Sequence, residues 1–533
     1  MIRLIKNIFN YLNKLFLFKL AIQEYVYLLG LIVLVVGLSL SNYLMSLGQL
    51  ILSVNWVLDN KVLYKFKTFF NNKPALIFTS IFLIHVIGLI YTTDFNYALK
   101  DLRIKLPLLG LPIIFTTSEL ISKKRFHLII YTYISAVLFG TFVGIYNYIN
   151  HSYIDIHEIV SPFISHIRFS LNICLVLCIL IYFIFKEKQI KIPLKILMLF
   201  LFCWLLYFLF ILEAFTGIFI LIILIISYLF YLIITNKNKL IKLAGILLFI
   251  AIPFSIYIYI HKLYLKNYDV KPIDFSKLDK TTPYGNPYQQ DTINWTVENG
   301  NHLGVYICLP ELKDTWNKRS KINIDSNDRQ HQLLSNTLIR FLNSKGLRKD
   351  ANGVNALSNV EIKAIEGGCA NVNYLSGHPI SARIYKIMYE MNMYKHTGNT
   401  KGYSVIQRLE LIKASLNIIK NNFWFGVGTG DMVKAYDQQL HDMHSDLYGT
   451  KLRSHNQYLS IFSALGFFGF LIFLTALFYP VILNKRISNY YFLTFFIIFL
   501  LSMLNEDTIE SQAGVTFFAF FYSFLGLAPI EEN

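Results

Sequence analysis

Charge is scarce in this sequence. Asp, Glu, Lys and Arg supply 15% of its 533 residues, where soluble globular domains average about 25%. With 55% hydrophobic residues and a mean hydropathy of +0.48, that deficit excludes an ordinary soluble domain. Cysteine is scarce too. Cys174, Cys178 and Cys203 fall in apolar runs and read as small packing residues. Cys308 and Cys369 share one polar stretch, where an oxidising compartment would permit a disulfide. A cleavable signal peptide is not evident, because the stretch with Arg3, Lys6, Lys14 and Lys19 lacks a compact apolar core and a small-residue cleavage site. Metal-ligand spacing is missing as well. His441, His444 and His455 with Asp442 do not form a helical HExxH pair, and no second cluster completes a shell. Neither a metal nor another cofactor is expected.

What the sequence has instead is long apolar runs. A helix needs about 20 apolar residues to cross about 30 Å of hydrocarbon. Twelve spans are predicted, at about 25–40, 41–58, 75–93, 106–119, 127–149, 169–185, 196–212, 218–234, 243–261, 456–480, 490–504 and 513–529. The first two could form one long helix, and the fourth is short. Lys and Arg cluster on one side of this pattern, twenty residues against four in the short loops opposite (Lys100, Arg103, Lys105 and Arg168). The basic side is therefore read as cytoplasmic. The net charge of +17 is then a topology signal, and nucleic acid drops out as a partner. The fold class expected is an all-α integral membrane protein of about twelve transmembrane helices. It divides into 1–261 (about nine spans), a periplasmic loop domain at 262–455, and 456–533 (about three spans). Within the loop, 265–400 is polar and rich in turn signals such as Pro283 and Asn352-Gly353. Ile406, Leu409, Ile412, Leu416 and Ile419 then recur at amphipathic-helix spacing, with Ser404 as the expected N-cap.

This topology singles out four basic residues on the outer face. Arg103 and Lys105 lie in DLRIKLPLL, Arg168 enters the sixth span, and Arg408 lies near the start of the amphipathic helix. Arginine at a span end is costly unless paired or lining a wet cavity. Such residues could grip a diphosphate, which Arg binds in bidentate fashion; the bland alternative is that each snorkels or pairs with a local carboxylate. His455 stands at the outer mouth of the tenth span, followed by Asn456 and Tyr458. Imidazole, with an ordinary pKa of about 6.5, serves as a general base near neutrality, although interfacial histidines are common. Glu506, in LNEDTIESQAG, either orients a cationic partner or is simply solvated. GVGTGD, Gly426 to Asp431, superficially suggests a phosphate loop. It follows a helix rather than a strand and lacks a following Lys-Ser/Thr, so a tight turn is the better reading.

Three pieces, QRLELIKASLNIIKNNFWFGVGTGD, RSHNQYLSIFSALGFFGF and NEDTIESQAGVTFFAFFYS, make the C-terminal third resemble the bacterial O-antigen ligase and O-antigen polymerase superfamily of membrane glycosyltransferases. DLRIKLPLL resembles that family's arginine-bearing loop. The resemblance implies transfer of a glycan from an undecaprenyl-diphosphate carrier to an acceptor hydroxyl on the periplasmic face of the bacterial inner membrane. It maps the catalytic pair onto His455 and Arg408, and diphosphate binding onto Arg103, Lys105, Arg168 and Arg408. Asn456, Tyr458 and Glu506 are placed in support. The implied partners are the lipid-linked donor, membrane lipid, and lipid A core or a growing glycan as acceptor. Ligases, polymerases and protein O-oligosaccharyltransferases share these motifs. The stretch at 265–400 departs from the pattern and leaves the acceptor open. A lipid-oligosaccharide transporter is the rival from another class. No inverted repeat favours it.

Overall fold

The computed structural model describes residues 22–59, 61–150, 159–270, 273–293, 296–375 and 379–531. The basic N-terminal stretch carrying Arg3, Lys6, Lys14 and Lys19 lies outside them. The described residues are mostly helical. In order, the N-terminal helices are α1 (Ile22–Leu40), α2 (Asn42–Val57), α3 (Val62–Asn71), α4 (Lys73–Ile87), α5 (Phe95–Lys105), α6 (Pro107–Thr117), α7 (Lys123–Asn150), α8 (His166–Phe185), α9 (Ile192–Ile211), α10 (Phe215–Thr235) and α11 (Lys239–Tyr268). A polar region follows, with the strand pair β1 (Val297–Glu298) and β2 (Asn301–His302) and helices α12 (Leu309–Arg319), α13 (Leu334–Ser344), α14 (Ala351–Asn355), α15 (Asn359–Glu366) and α16 (Pro379–Thr397). The last helices are α17 (Ser404–Asn421), α18 (Met432–Asp442), α19 (Gln457–Leu483), α20 (Tyr490–Asn505) and α21 (Gln512–Leu527), whose final turn is a π-helix.

Each of the twelve predicted spans coincides with a helix. Among the described residues, seven (α1, α7, α8, α9, α10, α11 and α19) are long and apolar enough to cross a membrane, or eight if α3 and α4, bent by 93° at their junction, count as one. The others are short: α2 has 16 residues and α6 has 11, against the roughly 20 that a full crossing takes. The first two segments are not one helix. Ser41 adopts an extended conformation and caps α2 through its side chain, and α1 and α2 fold back on each other. A Cβ at Gly37 would lie 2.5 Å from the Met45 nitrogen and one at Gly48 2.6 Å from the Leu34 nitrogen, so the hairpin closes only because both are glycine. Small residues at helix contacts are the usual means of close packing where lipid removes the hydrophobic drive between helices.

The chain forms two compact units, Met1–Ile225 with Asn399–Asn533, and Ile226–Gly398. These limits fall elsewhere than the predicted 262 and 455, because α17 packs against α19 and α18, and α11 packs against α16 and β1. In the first unit the core is largely aromatic. Phe499 stacks on Phe518 at 3.8 Å between ring centroids, and Phe78 on Tyr522 at 4.1 Å. This clasp joins α4, α20 and α21 and fixes the short 506–511 connection.

In α19, Gly466 breaks the helix with φ 64° and ψ −168°. The break frees the carbonyls of Ser463 and Ala464, which accept the N–H groups of Val427 and Gly428 at 3.0 and 2.8 Å. Phe467 N–H donates back to the Phe423 carbonyl at 2.7 Å. The GVGTGD stretch is thus a turn docked on an opened helix, with its terminal Asp431 accepting from the Thr93 and Asp94 backbone at 2.6 and 3.0 Å. Irregular backbone beside a membrane helix is tolerated where protein satisfies it in this way.

The second unit, taken by itself, is a small helical body around Trp316, Leu338, Phe341, Val354 and Ile365. Glu298 of β1, wholly buried, binds Arg340 at 2.7 Å. Lys349 is also buried, donating to the carbonyls of His302 and Val305. Burial lowers its pKa to about 8, against an opposing attraction to Glu298. Cys308 and Cys369 are free thiols, so the permitted disulfide is absent.

Candidate active site

Two connections deliver the site. His455 closes the loop that leads into α19, and 506–511 joins α20 to α21. His455 sits in the left-handed region with φ 50°, a conformation that costs an L-residue about 1–2 kcal/mol. Its N–H donates to the Asp507 carboxylate at 3.2 Å. Asp507 also accepts from the Ser460 hydroxyl at 2.7 Å. Burial pushes the Asp507 carboxyl up, against that hydroxyl and the Arg453 charge. Asn456 is the N-cap of α19, accepting from Leu459 N–H at 3.1 Å, and its amide donates to the Leu504 carbonyl at 3.0 Å. The Tyr458 hydroxyl donates to the Leu500 carbonyl at 3.1 Å. Both side chains clamp the mouth of α19 to α20.

Glu506 is where the separate elements meet. Its Oε1 accepts from Arg408 Nη2 of α17 at 3.0 Å. Its Oε2 lies 3.9 Å from Arg168 Nη2 of α8 and 4.0 Å from His455 Nδ1. Its side chain is 9% exposed. Burial alone would raise its pKa, but His455, Arg168 and Arg408 outweigh burial and hold the carboxyl below its ordinary value. Arg168 donates through Nε to Ser511 Oγ at 3.3 Å and through Nη2 to the Asp507 carbonyl at 3.1 Å. Its Nη1 is buried with no hydrogen-bond partner among the described residues. The His455 and Arg408 side chains remain about one third exposed, at 35% and 31%. A reactant can reach the imidazole and one guanidinium from outside, while the glutamate behind them stays dry.

The other two basic residues are placed differently from expectation. Lys105 is 1% exposed, sealed between both oxygens of Asp101 at 2.7 Å and Glu510 Oε2 at 2.7 Å. Glu510 also binds Arg453 at 2.9 Å and the Gln457 amide at 3.0 Å. Although burial opposes it, Lys105 and Arg453 keep the Glu510 carboxyl well below the usual range. Lys105 is thus not open to a phosphate. It braces the 506–511 connection against α5. Arg103, two residues away on a helix, faces the opposite side; it is exposed and makes no ion pair among the described residues. The basic group around Glu506 therefore contains Arg168 and Arg408 but neither Arg103 nor Lys105.

Ser404 is the first helical residue of α17, behind Tyr403 at the N-cap position. The buried stripe of α17 runs through Ile406, Leu411, Ala414, Ser415 and Ile418, leaving Leu409 and Leu416 exposed. Asp507, Glu510, Arg453 and Gln457 were not singled out from the sequence. The signal was the acidic run NEDTIE between two apolar segments. Among the described residues, no three His, Cys, Asp or Glu side chains are grouped to hold a metal ion.

This is a mostly helical membrane protein whose site joins an accessible histidine to two arginines across a buried glutamate. Residues 370–474, about one fifth of the chain, match the O-antigen ligase family model. The stretch contains Arg408 and His455, and it bears out the resemblance to the O-antigen ligase and polymerase superfamily, a glycosyltransferase-like class of enzyme. The search of curated proteins gives no match.

Proposed function

We propose that the protein transfers a glycan from an undecaprenyl-diphosphate carrier to an acceptor hydroxyl on the periplasmic side of the inner membrane, as an O-antigen ligase. The observation that carries this reading is the convergence of Arg408, Arg168 and His455 on Glu506. His455 takes the proton from the acceptor hydroxyl as its oxygen attacks the anomeric carbon. The bond from that carbon to the diphosphate breaks, and the carbon is inverted. Charge developing on the departing diphosphate is met by Arg408, the guanidinium open to the outside, while the buried Arg168 adds its positive charge from behind; both are held in place before reaction. Glu506 keeps the two guanidiniums side by side and faces the imidazolium that forms. The lipid diphosphate is itself the activated donor, so no nucleotide is consumed. The transporter rival gains nothing from the broken α19, because its freed carbonyls are taken by the 427–428 backbone.

The test is transfer by the purified protein. His455→Ala is expected to lower the rate by about 10²–10⁴-fold, the worth of positioned proton transfer. Arg408→Lys retains the charge but loses the planar fork, and is also expected to lose most activity. Lys434→Ala, at an exposed lysine of α18 outside the Glu506 group, serves as the control. Near-normal transfer by both site variants, with folded protein confirmed, refutes the mechanism. Product size with lipid A core offered as acceptor separates ligation from polymerisation: one band shift means ligation, a ladder polymerisation.

A further inference from the structure

The end of α6 remote from Lys105 borders a second charged cavity, of about 220 Å3. The start of α1, the end of α2, α3, the 117–121 connection and the start of α7 wall it. Three acidic side chains, Glu24, Asp59 and Glu119, and three basic ones, Lys61, Lys65 and Arg125, line it, so its formal charge is zero. Two pairs are internal. Arg125 binds Glu24, and Lys65 binds Asp59 at 2.8 Å while standing 5.4 Å over the Trp56 ring. Glu119 and Lys61 are exposed and stand outside these two ion pairs, with Glu119 hydrogen-bonded to Glu24. Burial, then repulsion and a hydrogen bond from Glu24, push the Glu119 carboxyl up against weaker attraction from Arg125 and Lys61.

α3 sets the depth of this cavity. It turns 93° from α4, so it lies along the membrane surface if α4 runs into the membrane. It exposes Leu63, Tyr64, Phe66 and Phe70 with Lys67 between them. Aromatic and basic residues on a short surface-lying helix belong at the boundary of head groups and acyl chains. The inner wall of the cavity is apolar, through Leu31 and Ile129. The cavity is smaller than the about 300–1,000 Å3 of sites for drug-sized ligands, which suits a head group and excludes a glycan chain.

We propose that this cavity binds the head group of a phospholipid of the phosphoethanolamine class, its ammonium on Glu119 and its phosphate on Lys61. A primary ammonium donates hydrogen bonds to a carboxylate. The quaternary ammonium of a choline lipid cannot, and a purely anionic head group would face Glu24 and Glu119, with Lys61 the one lining base outside the two ion pairs. The site lies apart from the His455–Glu506 group and does not depend on the reaction assigned there.

Delipidated full-length protein in detergent, offered phosphatidylethanolamine, phosphatidylcholine, phosphatidylglycerol or free phosphoethanolamine, is read by native mass spectrometry. One phosphatidylethanolamine is expected to be retained at about tenfold lower concentration than either other lipid, the factor that one charge-assisted hydrogen bond supplies. Glu119→Gln should erase the preference, and Glu119→Lys should turn it toward phosphatidylglycerol. Equal retention of the three lipids by the unmodified protein overturns the proposal, as does a preference unchanged in Glu119→Gln. Free phosphoethanolamine binding as tightly as the lipid overturns the assignment to a lipid.

Discussion

Replacing Glu506 by Gln keeps the shape of the side chain and removes one buried charge. Arg408, Arg168 and His455 surround that charge at 3.0, 3.9 and 4.0 Å. Arg408 is partly exposed and can turn to water. Arg168 cannot: its side chain is 10% exposed and one of its nitrogens is already without a partner. Breaking a buried pair by removing one member costs about 3–5 kcal/mol, and the relief open to Arg408 argues for about 3. Thermal unfolding in detergent should fall by a few degrees, and transfer should fall by at least about tenfold as the two guanidiniums part. The pH dependence supplies the sign. The folded pKa of Glu506 lies below its ordinary value, so its stabilisation is present above about pH 4.3 and is lost as the pH falls through the folded pKa. The stability gap between the parent protein and Glu506→Gln should be full at pH 7 and should close as the pH falls from about 4. Equal melting temperatures and equal transfer rates at pH 7 would refute the role given to Glu506.

The remaining expectations address neighbouring parts. Lys105→Met should reduce the yield of folded protein by breaking the Asp101–Lys105–Glu510 group, at about 3–5 kcal/mol, whereas Arg103→Ala should leave folding and donor affinity near normal; a Lys105→Met protein that folds well but binds donor weakly would reverse this placement. A reporter fused near Asn323 should be active only outside the cytoplasm and one fused at Lys239 only inside, and the opposite pattern at either site would undo the orientation of the arginines. Glycan transfer by the purified protein should survive EDTA, and loss restored by a divalent ion would return attention to His441 and His444.

Helices at all twelve predicted spans were legible in the sequence, because a membrane helix is specified locally by about 20 apolar residues and its flanking charges. Arg408, Arg168, His455 and Glu506 were legible as individual residues for a related reason: a charge at the end of an apolar run stands out against its surroundings. The division between them was not. Lys105 and Arg168 carry the same signal in one dimension, yet the first is sealed by Asp101 and Glu510 while the second reaches Glu506. Which carboxylate meets which base depends on how α5, α8, α17 and the 506–511 connection are packed, and these are separated by up to hundreds of residues along the chain. The stripe on α17 misled for the same reason, since exposed Leu409 and Leu416 are indistinguishable from core positions until the neighbouring helix is placed. By itself the sequence determined a helical membrane protein with an arginine–histidine motif near its C-terminus. Tertiary structure alone decided the hairpin at Ser41, the docking of Val427 and Gly428 on the opened α19, and the meeting of three basic side chains at one buried glutamate. Those features depend on close contacts between distant segments, which no local pattern of residues encodes.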